Sequence, residues 1–434
     1  MTTVTKLPYD ETYVTEFSKE NNEPAWMTDL RVEAIDLANH LELPKPDKTK
    51  IHRWNFTDFK HKSEPGETIT SLDNVPEELN DFVDKENENI VILRNQTVAY
   101  ASLNKELQEK GVILTDIFTA LREHGDLVKQ YYMTEAVGKD EHKLTALHAA
   151  LMNGGIFVYV PKNVVVNDPL QTIFWQEDNE LALFNHVIVV AEESSSVTYV
   201  ENYVSHNKEE ASVANIITEV FAQDNAKVSF GAVDHLEAGV TTYINRRGIV
   251  QNDATLDWAL GQMNEGHTVS ENETHLVGNN SESTPRTVTV GRGKQTQNFT
   301  TKTMHYGLDT DGMISQRGVM TGRSTAIFNA IGKIYNGATR ANAEQESRLL
   351  MLSGQARGDA NPILLIDEDD VTAGHAASVG RVDEMQLYYL MSRGITQEEA
   401  ERLIIHGFLD PVVNELPIET IKNQLTQLIE GKIK

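Results

Sequence analysis

Residues 361–407 read NPILLIDEDDVTAGHAASVGRVDEMQLYYLMSRGITQEEAERLIIHG and mark a change of architecture. The apolar run at 363–366 is typical of a last strand, and it is followed by four acids and by His375 among small residues. Segments with helix-capping signals then begin at Asp383 and Thr396. We therefore predict strands before this stretch and helices after it.

Short β-branched and aromatic runs, separated by Gly, Asn, Asp and Ser, fill the chain upstream of this stretch. Units of a turn followed by a strand begin at Ser196, Lys227, Thr255 and Met313, at intervals of 31, 28 and 58 residues. The missing member of a period near 29 falls close to Pro285. This period favours a parallel β-solenoid. An ordinary β-sandwich, with hairpins about every 8 to 12 residues, is the alternative.

Helical patterns flank the strand-rich region on both sides. Residues 25–41 have a broad apolar face, 90–103 predict a hairpin, and the helical pattern within 104–152 stops at the Gly pair that follows. After the strands, a helix is expected to end before Pro411, and 418–429 form another amphipathic segment. Such C-terminal helices either cap the open core of a solenoid or present a surface to another protein.

We therefore expect three domains. They are an N-terminal helical domain with a small hairpin (1–153), a parallel β-helix core (154–370) and a C-terminal helical domain (371–434).

The charge balance is strongly acidic, with 65 Asp and Glu against 38 Lys and Arg, for a net charge of -27. This balance repels phosphate backbones and anionic lipids, so neither nucleic acid nor a membrane surface is an expected partner. No apolar run approaches the roughly 18 residues of a spanning helix. The first residues, MTTVTKLPYDETY, have no apolar signal-peptide core, and we expect a cytoplasmic protein.

The chain contains no cysteine. A chain without thiols cannot form disulfides, thiolate nucleophiles or cysteine-ligated zinc and iron–sulfur sites by itself. If the function involves sulfur ligands, a partner must supply them.

Two candidate metal-binding features lie in the opening stretch. The acids Asp367–Asp370 could bind calcium, but consecutive residues of a strand point to opposite faces, which favours a solvated turn. His375 lies between Gly374 and Ala376, which are too small to bury it, and imidazole is a good ligand for borderline metals. A structural role for this histidine is the alternative.

Other chemical signatures are weak. His305 lies in a strand-like stretch and is expected to be a hydrogen-bonded residue of the core or of a groove, and His406 near a helix end suits the helix dipole. The chain has no GxxxxGK[ST], GxSxG or HExxH motif. We therefore expect no enzymatic activity from the chain by itself.

The opening stretch resembles the C-terminal signature of the SufB/SufD family of iron–sulfur cluster assembly proteins. The matching positions are Pro362, Asp369, Asp370, Val371, His375, Gly380, Asp383, Leu387, Tyr388, Tyr389, Ser392, Arg393, Gly394 and Ile395. Residues 315–334, 343–353, 154–171 and 22–44 also fit the family, so the resemblance spans nearly the whole chain. The absence of cysteine is closer to the SufD branch than to the SufB branch.

The resemblance implies a right-handed parallel β-helix between two helical domains. It also implies pairing with a SufB-like homologue through the β-helix, and docking of a SufC-like ABC ATPase at roughly 383–408. His375 corresponds to the family's interface histidine, which makes it a candidate iron ligand opposite a SufB cysteine. The family often has a cysteine two residues before this histidine, whereas this chain has Ala373.

We therefore expect a non-catalytic scaffold subunit that binds no cofactor alone, with transient iron or an iron–sulfur cluster at its partner interface. A homodimer is an alternative assembly. One alternative function is a β-helix carbohydrate-active enzyme, such as a polysaccharide lyase or hydrolase, with Arg246, Arg247, Asp253, Asp257 and Trp258 in its groove. Another is a structural solenoid or adhesin, which predicts a secretory signal.

Overall fold

A computed structural model describes residues 7–64, 66–178, 180–205, 211–414 and 418–433. The first six residues of the segment assessed for a signal peptide lie outside these ranges. Within the described part of the chain, the helices are too short or too polar to cross a membrane.

The helices are α1 Glu11–Glu20, α2 Ala25–His40, α3 Lys105–Glu109, α4 Ile117–Glu123, α5 Gly125–Tyr131, α6 Lys143–Leu151, α7 Glu384–Ser392, α8 Gln397–Val413 and α9 Glu419–Ile433, with 3₁₀ turns at Leu72–Asn74 and Glu77–Leu79. The strands are β1 Ile90–Arg94, β2 Thr97–Ser102, β3 Ile113–Asp116, β4 Gly154–Val160, β5 Leu170–Gln176, β6 Leu183–Ala191, β7 Ser196–Ser205, β8 Ser212–Ala222, β9 Lys227–His235, β10 Val240–Val250, β11 Thr255–Gln262, β12 Thr268–Leu276, β13 Glu282–Gly291, β14 Thr296–His305, β15 Asp311–Met320, β16 Thr325–Ile334, β17 Asn342–Met351, β18 Arg357–Ile366 and β19 Thr372–Arg381.

The strands form two sheets that face each other. Sheet 1 has the order β19-β17-β15-β13-β11-β9-β7-β5-β1-β2, and sheet 2 has the order β18-β16-β14-β12-β10-β8-β6-β4-β3. From β4 onward, each turn adds one strand to sheet 2 and the next strand to sheet 1, giving about eight turns. Neighbours among these strands are parallel, which confirms the solenoid and excludes the sandwich.

The turns between sheet 2 and sheet 1 explain the sequence period. A residue with positive φ recurs at each turn: Asn163, Ser194, Asn225, Asp253, Asn280, Asp309 and Arg340. Asn and Asp tolerate this left-handed conformation, and their side chains bond successive turns, as in Asn280 Nδ2 to Asp253 Oδ1 (3.0 Å). The strands that follow begin at the predicted Ser196, Lys227 and Thr255, and the missing repeat at Pro285 is part of β13.

The N-terminal part covers one face and one end of the solenoid. Helices α2 and α6 pack together, and their apolar side chains join those on the outer face of sheet 2. The buried Arg31 holds them together, because its guanidinium donates to the carbonyl oxygens of Ala150 (3.0 Å) and Met152 (2.8 Å) and pairs with Glu23 (2.6 Å). The predicted hairpin, β1 and β2, extends sheet 1, whereas β3 is a strand within a region predicted to be helical.

The C-terminal helices lie along the side of the solenoid. Apolar residues of α8 and α9 pack on the outer face of sheet 1. Glycine allows the close approach, since a Cβ at Gly261 would lie 2.2 Å from Leu425 Cδ2. These two helices therefore do not cap the open end.

Two expectations about this region are wrong. Strand β19 continues past residue 370, where the helical part was expected to begin. Helix α8 continues through Pro411 to Val413, because the buried Leu409, Val412 and Val413 anchor its last turns on the sheet. The three-domain division itself remains a prediction.

Candidate functional site at the open end

His375 lies on β19, the last strand of sheet 1. It is in register with Gln345 of β17, whose side-chain amide reaches across the interior to Ile363 of sheet 2. Side chains alternate along a strand, so Ala373, His375 and Ala377 share the inward-facing side. His375 is nevertheless exposed, because no further turn covers the last strand.

The residues in register with His375 form one column along the inside of sheet 1. Each is the partner of the next on the neighbouring strand: Leu170, Tyr199, Phe230 and Trp258, and, nearer the open end, Ile314, Gln345 and His375. The members before His375 are buried, and the column changes from apolar and aromatic to polar in the last two turns. A further coil placed against β19 would cover His375 as each turn covers its predecessor.

The end of the solenoid has two free strand edges. Among the described residues, β18 pairs only with β16, and β19 pairs only with β17. Exposed apolar side chains lie on these two strands: Ile363, Leu365, Ile366 and Val379. Unpaired edges of this kind are templates for pairing with another chain.

The acids before His375 each engage a different part of the preceding turn. Asp367 pairs with Lys333, and a Glu368 carboxylate oxygen accepts the backbone N–H of Gly337 (2.9 Å). Hydrogen bonds from backbone N–H groups lower the pKa of Glu368. No cluster of three His, Asp or Glu suited to a metal occurs in the described ranges. This arrangement supports the turn interpretation over the calcium site.

The other two histidines singled out in the sequence are structural. His305 is buried, its Nδ1 lies 2.9 Å from Thr310 Oγ1, and burial lowers its pKa to about 4, so the prediction of a hydrogen-bonded core residue is confirmed. His406 Nε2 lies 2.6 Å from Glu430 Oε1 and joins α8 to α9, a contact that helix position alone did not predict.

Helix α7 begins shortly after β19 and has an exposed apolar surface. Met385, Tyr388 and Tyr389 are 71%, 68% and 56% exposed, and the exposed Met391 and Leu403 of α8 lie in the same predicted docking region. Contiguous exposed apolar side chains mark interaction surfaces in soluble proteins. This surface lies within the segment 383–408.

The residues considered for a carbohydrate-binding groove do not form one. Arg246 is buried inside the solenoid, where it pairs with Glu201 (2.8 Å) and Asp234 (2.7 Å). Trp258 is also fully buried. Arg247 points to the opposite side, toward Glu141 of the N-terminal part. The carbohydrate-active alternative therefore loses the residues on which it rested.

Sequence reasoning did not single out Gln345. Its only signal was its position 30 residues before His375, which is close to one solenoid period. The interior pairing of Arg246 was missed as well, because charged residues in strands are usually solvent-facing.

Family comparisons agree with this architecture. Residues 9–172 match the SufBD protein N-terminal region, and residues 174–408 match the SufBD core domain of SUF-system iron–sulfur cluster assembly proteins. The chain is 58% identical to the iron–sulfur cluster assembly protein SufD of Bacillus subtilis (strain 168), over the full length of both chains.

Two more distant relatives are iron–sulfur cluster assembly SufBD family proteins from staphylococci. The chain is 30% identical to the one from Staphylococcus haemolyticus (strain JCSC1435) and 29% identical to the one from Staphylococcus aureus (strain USA300). Each match covers 94% of this chain and 90% of the relative. The chain therefore belongs to the SufBD family of iron–sulfur cluster assembly proteins.

Proposed function

We propose that this chain is a non-catalytic scaffold subunit of a cytoplasmic SUF-type assembly complex, in which it pairs with a SufB-like homologue and docks a SufC-like ATPase. The observation that carries the proposal is the open end, where a histidine on an inward-facing column is exposed at a free strand edge. The names of the relatives support the assembly role.

Pairing through the open end is supported by the strand edges. Strands β18 and β19 present backbone donors and acceptors together with exposed apolar side chains. A homologous chain with the same strand spacing can continue both sheets and cover these side chains. Such a docked coil would place partner residues next to His375.

The proposed role of His375 is to supply an imidazole ligand to iron, the substrate of assembly. Imidazole binds iron well, and the ring is accessible at the edge. Because the chain has no cysteine, sulfur ligands must come from the homologue. Ala373 replaces a cysteine common in the family, which leaves His375 as the metal-binding side chain proposed on this strand.

ATPase docking is assigned to the surface formed by α7 and the first part of α8. Support comes from exposed Met and Tyr side chains that no described residue covers. Because α7 begins shortly after β19, a displacement of α7 would reach the proposed pairing edge through a short connection.

The central experiment is co-expression with the SufB-like and SufC-like proteins of the same cell, with and without His375→Ala. The complex should assemble in both cases, while iron content and cluster yield should fall several-fold in the variant. His52→Ala is a matched control because His52 is also exposed but lies in the N-terminal part. Equal cluster yields from His375→Ala and the control would remove His375 from the mechanism.

Docking is tested by substitution rather than by deletion of 383–434. Deletion would expose the apolar face of sheet 1 that α8 and α9 cover. A homodimer is distinguished from the proposed heterodimer by the mass of the purified complex. A homodimer that persists in excess SufB-like protein would contradict the pairing proposal.

A further inference from the structure

We propose that Gln345 is a positioning residue for His375, fixing which ring nitrogen faces the partner. This inference rests on the proposed function, because it concerns the same histidine. Gln345 would act through a hydrogen bond from an imidazole N–H to its Oε1 atom. The other ring nitrogen would then carry the lone pair available to iron.

The amide of Gln345 has a defined orientation. The side chain is 4% exposed, and its Nε2 donates to the backbone oxygen of Ile363 at 2.9 Å. The flipped amide would place two acceptor oxygens against each other, so the carbonyl must face away from Ile363. Its Oε1 is a buried acceptor without a hydrogen-bond partner among the described residues.

The surrounding residues leave room for this orientation. A Cβ at Gly332 would lie 3.0 Å from Gln345 Nε2, so a larger residue there would press on the amide. Ala343 and Ala373 are small neighbours on the same inward-facing side. The amide is therefore held between the sheets, one strand from the open end.

His375 is the residue next to Gln345 in register. Side chains in register on neighbouring strands lie about 4.8 Å apart, which is within reach of a side-chain hydrogen bond. The imidazole is exposed and free to rotate, whereas the amide is buried. Rotation of the ring toward Oε1 would give the buried acceptor its missing donor. Metal-binding histidines commonly use the second ring nitrogen in this way.

A buried glutamine with only a packing role would look like Gln316. Its Nε2 donates to Thr301 Oγ1 (2.8 Å), and its Oε1 accepts from Ser347 Oγ (2.9 Å). Both ends of that amide are engaged inside the solenoid. Gln345 differs because its unengaged oxygen is adjacent to an exposed histidine at the edge.

The test is ring-nitrogen NMR of the metal-free chain, labelled with ¹⁵N-histidine and measured near pH 8.5, about two pH units above the usual histidine pKa. His375→Gln identifies the His375 signals, and His52 serves as the reference for an exposed ring. The wild type should show one dominant His375 tautomer. Gln345→Leu should shift the His375 tautomer ratio at least about threefold toward that of His52.

Two further variants separate positioning from packing. Gln316→Leu, a matched buried control, should leave the His375 tautomer ratio unchanged, and Gln345→Glu, which keeps an acceptor, should retain the wild-type tautomer. An identical His375 tautomer ratio in wild type and Gln345→Leu would overturn the inference without affecting the iron proposal. Conversely, unchanged iron content in His375→Ala would overturn the iron proposal, whereas a tautomer shift would still establish the hydrogen bond.

Discussion

Glu219 is buried where the N-terminal part meets sheet 2, and it provides a sharp test of the packing described above. Its carboxyl oxygens accept the backbone N–H groups of Met133 (2.7 Å) and Val137 (3.1 Å). Oε2 also lies 2.9 Å from His186 Nε2, and His186 Nδ1 lies 3.0 Å from His148 Nε2. This chain of side chains ties the loop after α5 to the solenoid.

Burial decides the protonation of this network. It raises the pKa of Glu219 to about 8, lowers the pKa of His186 to about 3, and lowers the pKa of His148 well below its usual value. At neutral pH the Glu219 acid therefore donates to His186, His186 donates to His148, and His148 donates to the backbone oxygen of Asn215 (3.2 Å). The contact between Glu219 and His186 is thus an uncharged hydrogen bond.

The perturbation is Glu219→Gln, which removes the titrating proton but keeps the shape. A folded pKa of about 8 against 4.5 corresponds to about 5 kcal/mol of stability, present below pH 4.5 and lost as the pH rises through 8. Gln cannot accept from Met133 at the amide nitrogen, which costs about 1–3 kcal/mol. The variant should be less stable than wild type near pH 5.5, and the difference should shrink and reverse by about pH 9.

The assay is urea unfolding of both proteins across this pH range, with hydrogen exchange of the Met133 and Val137 amides as the local measurement. Comparing the two proteins at each pH cancels the other titrating groups they share. Glu33→Gln, which removes an exposed partner of Lys139, is the control. A stability difference between Glu219→Gln and wild type that stays constant from pH 5.5 to 9 would refute the reasoning.

Three further predictions concern other parts of the chain. Gly261→Val should displace Leu425 and destabilise the α9 packing by about 2–5 kcal/mol in urea unfolding, whereas Gly407→Ala, with open space around it, should be neutral or stabilising by up to about 1 kcal/mol; equal effects would contradict the close packing. Arg246→Met should cost about 3–5 kcal/mol, because it leaves two buried carboxylates unpaired, and a cost below about 1 kcal/mol would argue against the interior ion pairs. Tyr388→Ala should leave the melting temperature unchanged but reduce ATPase retention on a column at least about tenfold, and full retention would place docking elsewhere.

Much of the solenoid was predictable because its signals are local. A left-handed turn selects Asn or Asp at each repeat, as at Asn225 and Asp253, and the strand that follows begins two residues later. Strand β19 was missed because Gly, Ala and Ser have weak strand preferences. It is a strand because ten residues pair in register with β17.

The candidate site was only partly predictable. The family signature selected His375, but the local sequence could not show that it faces inward on an exposed edge. That placement depends on its register with Gln345, 30 residues away. The unengaged oxygen of Gln345 in turn depends on Ile363 in the opposite sheet. Contacts of this range leave no periodic trace in the sequence.

The sequence by itself determined the repeat, the family and the absence of thiols, since each depends on residue identity and spacing along the chain. The tertiary structure alone decided that α8 and α9 cover the side of the solenoid and leave its end open. The physical reason is that Gly261 and its apolar neighbours on sheet 1 accept the apolar residues of α9. Burying that helix face on the side of the solenoid leaves both strand edges, with His375, free for a partner.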